Sequence, residues 1–398
     1  MADISRRRIS HVTESAWGTA SGTAFQIDNV PPGPGLKLSR SILQSSVIRS
    51  DRGVGRSRLG AKNGSFNLPF ELAYCQAFED HLTSAMCSAM VAAGSATSGI
   101  TTTVVAGTTN TMAGTGVGGT GGSAIAVGDW VKVSGFAGGY TANNGFFRCT
   151  ARAADLLTFG EAKDSAGASL LVAASAQASI VFQKMAAWTS GSTIKSNDIE
   201  EAQLDLATPL YRHMPGAMAN TLSLSLIPDK IITGSFGYVG KPVIGPATST
   251  YTVSTVAASS ALAMMANDTV SALRVDGTPV AYVTGLDLSL DNGMSSKMGL
   301  FQLDPYRIAL DASKLTGTLS LMWIDATFWT KYAAETRVAL GLKLMDPAGL
   351  TGYAVDIPAV ALTDLSDEQS GETILKVPFT VEPDSTTGLI NWKWNKLV

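Results

Sequence analysis

The chain is poor in charge. Of its 398 residues only 15% are Asp, Glu, Lys or Arg, against about 25% in an ordinary globular domain. Twenty-nine basic and 32 acidic residues leave a net charge of −3, so the strong basic excess of a general nucleic-acid binder is missing. There are three cysteines, Cys75, Cys87 and Cys149, odd in number and widely spaced, which argues against a disulfide framework and against a cysteine zinc site. No uninterrupted apolar run reaches the 18 or so residues that mark a transmembrane helix; the most suspicious stretch, 253–266, is broken by Ser and Thr. The start, with Arg6, Arg7 and Arg8, has no apolar run behind its charges, so no signal peptide is expected.

Catalytic signatures are missing too. Gly114, Gly116 and Gly119 match G-x-G-x-x-G, but a strand containing Trp130 follows where a dinucleotide fold needs a helix, so a loop is expected. Gly237–Lys241 is too short for a phosphate loop, and Pro242 stands where Ser or Thr is required. His11, His81 and His213 are far apart in sequence. His81 follows Glu79 and Asp80, but neighbours on a helix point in different directions, so they are no ready dyad. The acidic cluster Asp364, Asp367, Glu368 and Glu372 does not have EF-hand spacing and reads as a solvated loop. No enzyme, cofactor or metal site is expected.

What is present is apolar content, 45%, and glycine, 40 residues. That is enough to build cores, with a surface of small uncharged residues suited to being covered by copies of itself. Gly and Pro recur every ten residues or so between β-branched runs, an all-β rhythm. Apolar and polar residues alternate in 221–226, 285–290 and 318–321, placing leucines on one sheet face and Ser, Thr or Asp on the other. Helical spacing predicts two short helices, 78–90 and 326–335, with Phe78, Leu82, Phe328 and Trp329 as anchors against a sheet. Trp17 and Trp323 are expected as further core or interface anchors.

Each predicted helix follows an alternating strand: Gly64–Leu68 before the first, Gly317–Leu321 before the second. This suggests a weak internal duplication, with chance similarity of two β-rich halves as the alternative. The division that follows is 1–98 with 183–242 as a first, discontinuous domain, and 99–182 as an inserted β module. Residues 243–267 form a linker, and 268–398 a second domain. Within the insertion Asn144-Gly145 reads as a turn between strands. Residues 1–62 carry ten Lys or Arg against four Asp or Glu, a local +6, with Arg49, Arg52, Arg56 and Arg58 clustered among glycines. They are either a solvated loop or a basic arm that docks on an acidic neighbour.

Several stretches, in order, resemble the tail tube (major tail) proteins of long-tailed bacteriophages. They are His11–Thr19, Gly64–Met86, Val127–Asp129 with Ser134–Phe136 and Asn144–Phe147, Asn220–Leu226, Thr233–Lys241, and Leu286–Gly293 with Gly317–Leu321. The glycine-rich run and the triple-arginine start have no counterpart. The resemblance implies a mainly β fold of two tail-tube sandwich or barrel domains, each with a short flanking helix. It implies a siphophage virion protein, not an enzyme, that polymerises into stacked rings through which the genome is ejected. The partners implied are further copies of the chain (trimeric pseudo-sixfold rings, or hexameric ones), tape measure and other tail proteins, and double-stranded DNA in passage without specific binding. Assembly is expected in the host cytoplasm and residence in the virion tail. The inter-ring contact is expected between Arg49–Arg58 and Asp364, Asp367 and Glu368. An extracellular Gly/Ser-rich adhesin or surface-layer protein is the alternative class, and a virion enzyme a third.

Overall fold

The structure, a computed structural model, describes residues 6–19, 23–47, 55–119, 124–164, 166–267, 272–280, 282–370, 372–383 and 392–398. It is mainly β. The alternating segments form neighbouring strands whose leucines stand side by side on the core-facing side of the sheet. Leu222 stands opposite Leu290, Leu224 opposite Leu288, and Leu286 opposite Leu319. All of these are buried, and each buried leucine contributes roughly 1.5–3 kcal/mol.

Pairing is antiparallel through two series of six strands. The first runs Arg7–Thr13, Asn197–Gln203, Leu210–Leu226, Thr233–Gly240, Ser57–Glu71, Lys37–Gln44. The second runs Ala272–Val275, Val338–Met345, Gly352–Leu362, Glu372–Val381, Lys314–Met322, Val283–Asp291. In both series the first strand in the chain pairs the fourth, and the third pairs the second and the sixth. The two series share one hydrogen-bonded sheet, because 221–226 of the 17-residue Leu210–Leu226 strand pairs with 286–291.

Helix α1 (Gln76–Ala85) follows Ser57–Glu71, and helix α2 (Thr327–Ala333) follows Lys314–Met322, the corresponding strand of the second series. Both are shorter than their apolar spacing predicts. α1 stops because Cys87 takes a left-handed backbone (φ 48°) and Val91 bridges to Ala187; α2 stops at Glu335, also left-handed (φ 51°). Phe78 on α1 packs among Phe70, Phe236, Tyr353 and Trp394 with ring centroids 5.2–5.8 Å away.

A separate seven-stranded antiparallel sheet spans Thr97–Lys184 and has its own core, including Ile100, Val131, Phe147, Phe159 and Phe182. Asn144-Gly145 is not the turn expected there. A 3₁₀ helix, Gly138–Asn143, makes the reversal, and the Asn144 side chain instead holds the backbone N and O of Phe136. This sheet is tied to the main one by Trp130, whose indole N–H donates to Asp356 at 2.7 Å, and by Arg148, which bridges Glu161 and Asp356.

Residues 243–267, expected as a linker, run along the first series as paired backbone. Ile244–Ala247 pairs with Leu210–Leu226, Thr255–Val256 pairs in parallel with Phe25–Ile27, and buried Met264 bonds Leu72 and Ile232.

Candidate functional site

A broad groove lies on the sheet face opposite the leucines. Its volume is about 670 Å³, and its walls carry Ser223, Ser225, Ser235, Ser289, Thr316 and Thr318. Strand alternation generates it. Every second residue of five adjacent strands is turned outward, and in register these are small hydroxyls: Ser235 beside Ser223, Ser223 beside Ser289, Ser289 beside Thr316, Thr316 beside Thr380. Asp287 contributes a charge within the groove and accepts a hydrogen bond from Ser225 at 2.6 Å. No Lys or Arg lines it.

The two margins of this sheet differ in charge. At one, Lys37–Gln44 pairs only with Ser57–Glu71 among the described residues, and carries exposed Leu38, Ile42 and Leu43. Arg56 and Arg58 are exposed beside it. Arg49 and Arg52 lie outside the described residues. At the other margin Ser366–Ser370 pairs with Glu372–Val381. There Asp364, Asp367 and Glu368 are exposed, with Glu368 bound to Lys376 at 2.6 Å.

Part of the basic excess read in residues 1–62 is used inside the fold. Arg8 binds Glu200, and Arg7 and Arg212 bind Glu201, at 2.8–3.1 Å. Both glutamates are buried on Asn197–Gln203, a strand buried on both faces that shows no alternation. Burying them unpaired would cost several kcal/mol each, so Arg7 and Arg8 hold the first strand to Asn197–Gln203.

Of the expected anchors, Phe78, Leu82 and Phe328 are buried. Trp17 is half-buried; its N–H donates to the Gly216 carbonyl and the Lys241 ammonium sits 4.7 Å from the ring centroid. Trp323 and Trp329 are not core residues of the single chain: they are 43% and 55% exposed, Trp323 in the connection after Lys314–Met322 and Trp329 on α2, which turns only Phe328 inward.

Sequence distance hid one constellation. Strand Arg7–Thr13, the loop after Phe25–Ile27 and helix α1 bring His11, Asp28 and His81 together in the interior. The carboxylate of Asp28 lies 2.9 Å from His11 Nδ1 and 3.1 Å from His81 Nε2, and the two rings are 4.0 Å apart. Burial lowers the His11 imidazole, but Asp28, with help from Asp80, overrides it and raises it to about 9. Burial works to raise Asp28, and the two histidines hold it well below the ordinary carboxylate range. His81 is lowered by burial and by its positive neighbour His11. All three side chains are buried, so this is interior chemistry. His213 stays apart, against Asp198 and stacked on Tyr251.

Among the described residues no helix is long and apolar enough to cross a membrane. The sequence model of one family, described as phage tail tube protein, matches residues 4–382. No curated protein matches the chain.

Proposed function

The chain belongs to the phage tail tube protein family, structural components of the virion tail, and from that premise we propose that its hydroxyl-lined sheet face is the wall of the tube's bore. The observation that carries the proposal is the groove itself: small neutral hydroxyls in register over five strands, one acidic side chain and no cation. A conduit for duplex DNA must not hold it. Each Lys or Arg on the wall would release counterions on meeting a phosphate and so bind the passing genome. The subunit acts mechanically, making and breaking no bond, and the genome is ejected through the bore. The adhesin alternative has no comparable support.

The matching pairing order of the two strand series supports an internal duplication. Two copies per chain allow three chains to supply six equivalent positions, a cyclic trimer with pseudo-sixfold symmetry, whereas unrelated halves would need six chains. Head-to-tail stacking extends the rings into a siphophage tail tube, assembled in the host cytoplasm around a tape measure protein. The basic and acidic margins lie at opposite ends of one sheet, which favours their meeting between neighbours within a ring rather than between rings. Each exposed ion pair is worth only about 0–1 kcal/mol. The edge strand Lys37–Gln44, paired on one side only among the described residues and carrying exposed Leu38, Ile42 and Leu43, adds backbone hydrogen bonds and apolar burial.

Replacing Arg52, Arg56 and Arg58 together with Ser tests this, read by mass photometry for ring mass and negative-stain microscopy for tubes. Folded monomers without rings support the lateral contact. Rings of full mass in short tubes would instead put the contact between rings, and normal tubes would remove the margin from assembly. A ring mass of six chains would eliminate the trimer. Wild-type protein that forms neither rings nor tubes under any condition would count against the bore itself.

A further inference from the structure

We propose that His11, Asp28 and His81 form an interior site for a divalent transition-metal ion of the zinc class. One ligand atom from each lies within 4.8 Å of the others, from three segments far apart in the chain. The side chains are 0%, 4% and 4% exposed. Two imidazoles and one carboxylate are a donor set suited to zinc, whereas calcium and magnesium take oxygen ligands.

Two further observations point the same way. Ligating histidines normally have their second ring nitrogen held by an outer partner, which fixes tautomer and ring orientation. Both rings here have one. His11 Nε2 lies 3.4 Å from the Asp80 carboxylate, and His81 Nδ1 lies 2.6 Å from the Tyr238 hydroxyl. A small cavity of about 40 Å³ also adjoins the cluster, lined by Asp28, Cys75, Phe78 and His81 among others. It has room for one water, the fourth ligand of a tetrahedral ion.

The competing occupant of the same space is a proton. The present 2.9–3.1 Å separations are hydrogen-bond lengths, whereas tetrahedral bonds of about 2.0–2.1 Å set ligand atoms about 3.3 Å apart. For these two contacts the difference is a few tenths of an ångström, within the reach of small side-chain movements, and the two ring nitrogens lie within 4.8 Å of each other. An ion here would fasten the first strand and the loop at residue 28 to α1. Because the three side chains are almost wholly buried, the ion would enter most readily during folding.

The test uses the full-length protein. It is purified without chelator from zinc-supplemented cells and analysed by plasma mass spectrometry. Separately, it is unfolded in chelator and refolded with zinc, with cobalt, or with neither. Expected are about one zinc per chain, a melting temperature several degrees higher after refolding with zinc, and the visible absorption of tetrahedral cobalt. Asp28→Asn and His81→Gln should lose the ion, whereas His213→Gln, outside the cluster, should keep it. If the first two variants do not fold, the wild-type metal content and cobalt spectrum decide alone. Wild-type protein that is metal-free from every preparation, melts alike with and without zinc, and gives no tetrahedral cobalt spectrum would overturn the proposal and leave a proton-bridged cluster.

Discussion

The ring of Phe379 closes over Gly317. A β-carbon at residue 317 would stand 2.4 Å from Phe379 Cζ and 2.5 Å from the Asp287 carbonyl oxygen. The first half of the sheet holds the same arrangement, with residue 234 under Phe70 and against the Ser223 carbonyl. Gly317→Ala should therefore force strand and ring apart and destabilise the subunit by about 1–3 kcal/mol. Gly139→Ala, with nothing within 4 Å, should be close to neutral. Urea unfolding of the two variants checks the contrast.

Phe328 and Trp329 are adjacent on α2 and should respond differently. Phe328→Ala removes a buried ring and is expected to cost about 3–5 kcal/mol of subunit stability. Trp329→Ala removes a ring that is 55% exposed, so the subunit's melt should change by less than about 0.5 kcal/mol, while assembly suffers if the ring anchors a neighbouring copy. Thermal melts together with tube yield separate the two effects.

Lys343 sets a pH dependence. Burial, reinforced by Arg274, lowers its ammonium to about 8 from the usual 10.5. The folded chain therefore prefers the neutral amine. Below pH 8 the lysine is charged in both states and its burial is a cost. Between pH 8 and about 10.5 the unfolded chain holds more protons, so this residue's contribution to stability rises with pH. Lys343→Met should stabilise the subunit at pH 7 by on the order of 1 kcal/mol and flatten the rise above pH 8. Denaturant titrations at pH 7 and pH 10 measure both.

Charge placed in the groove should convert it into a DNA-binding surface. Ser223, Ser235, Ser289 and Thr316, all changed to Lys, put four cations on neighbouring strands. Mobility-shift assays are expected to show no appreciable binding of duplex DNA by the wild type at physiological salt. The variant should bind with an affinity that falls steeply as salt rises. A wild type that binds tightly would contradict the bore assignment.

The alternating strands were legible because each buries only one face: leucines at 222, 224 and 226 against hydroxyls at 221, 223 and 225 leave no other arrangement in a sheet. The helices were legible from Phe78, Leu82 and Phe328, but their ends were not, since the left-handed residues Cys87 and Glu335 carry no glycine signal. Asn197–Gln203 defeats pattern reading altogether: its acids are buried, and only the distant Arg7, Arg8 and Arg212 make that tolerable. The histidine cluster was hidden for a related reason. Residues 11, 28 and 81 meet only when the first strand has paired with Asn197–Gln203 and α1 has packed inside. Composition gave no sign that Trp323 and Trp329 face outward.

The shared strand has a mechanical consequence. Six consecutive residue pairs, Leu226 with Leu286 through Thr221 with Asp291, join the halves by backbone hydrogen bonds rather than by a tether. Sliding one half past the other would break that ladder cooperatively, so the subunit resists shear as a single plate. In the proposed bore, pressure on a wall of such plates would be carried along the sheet instead of opening a seam inside each subunit.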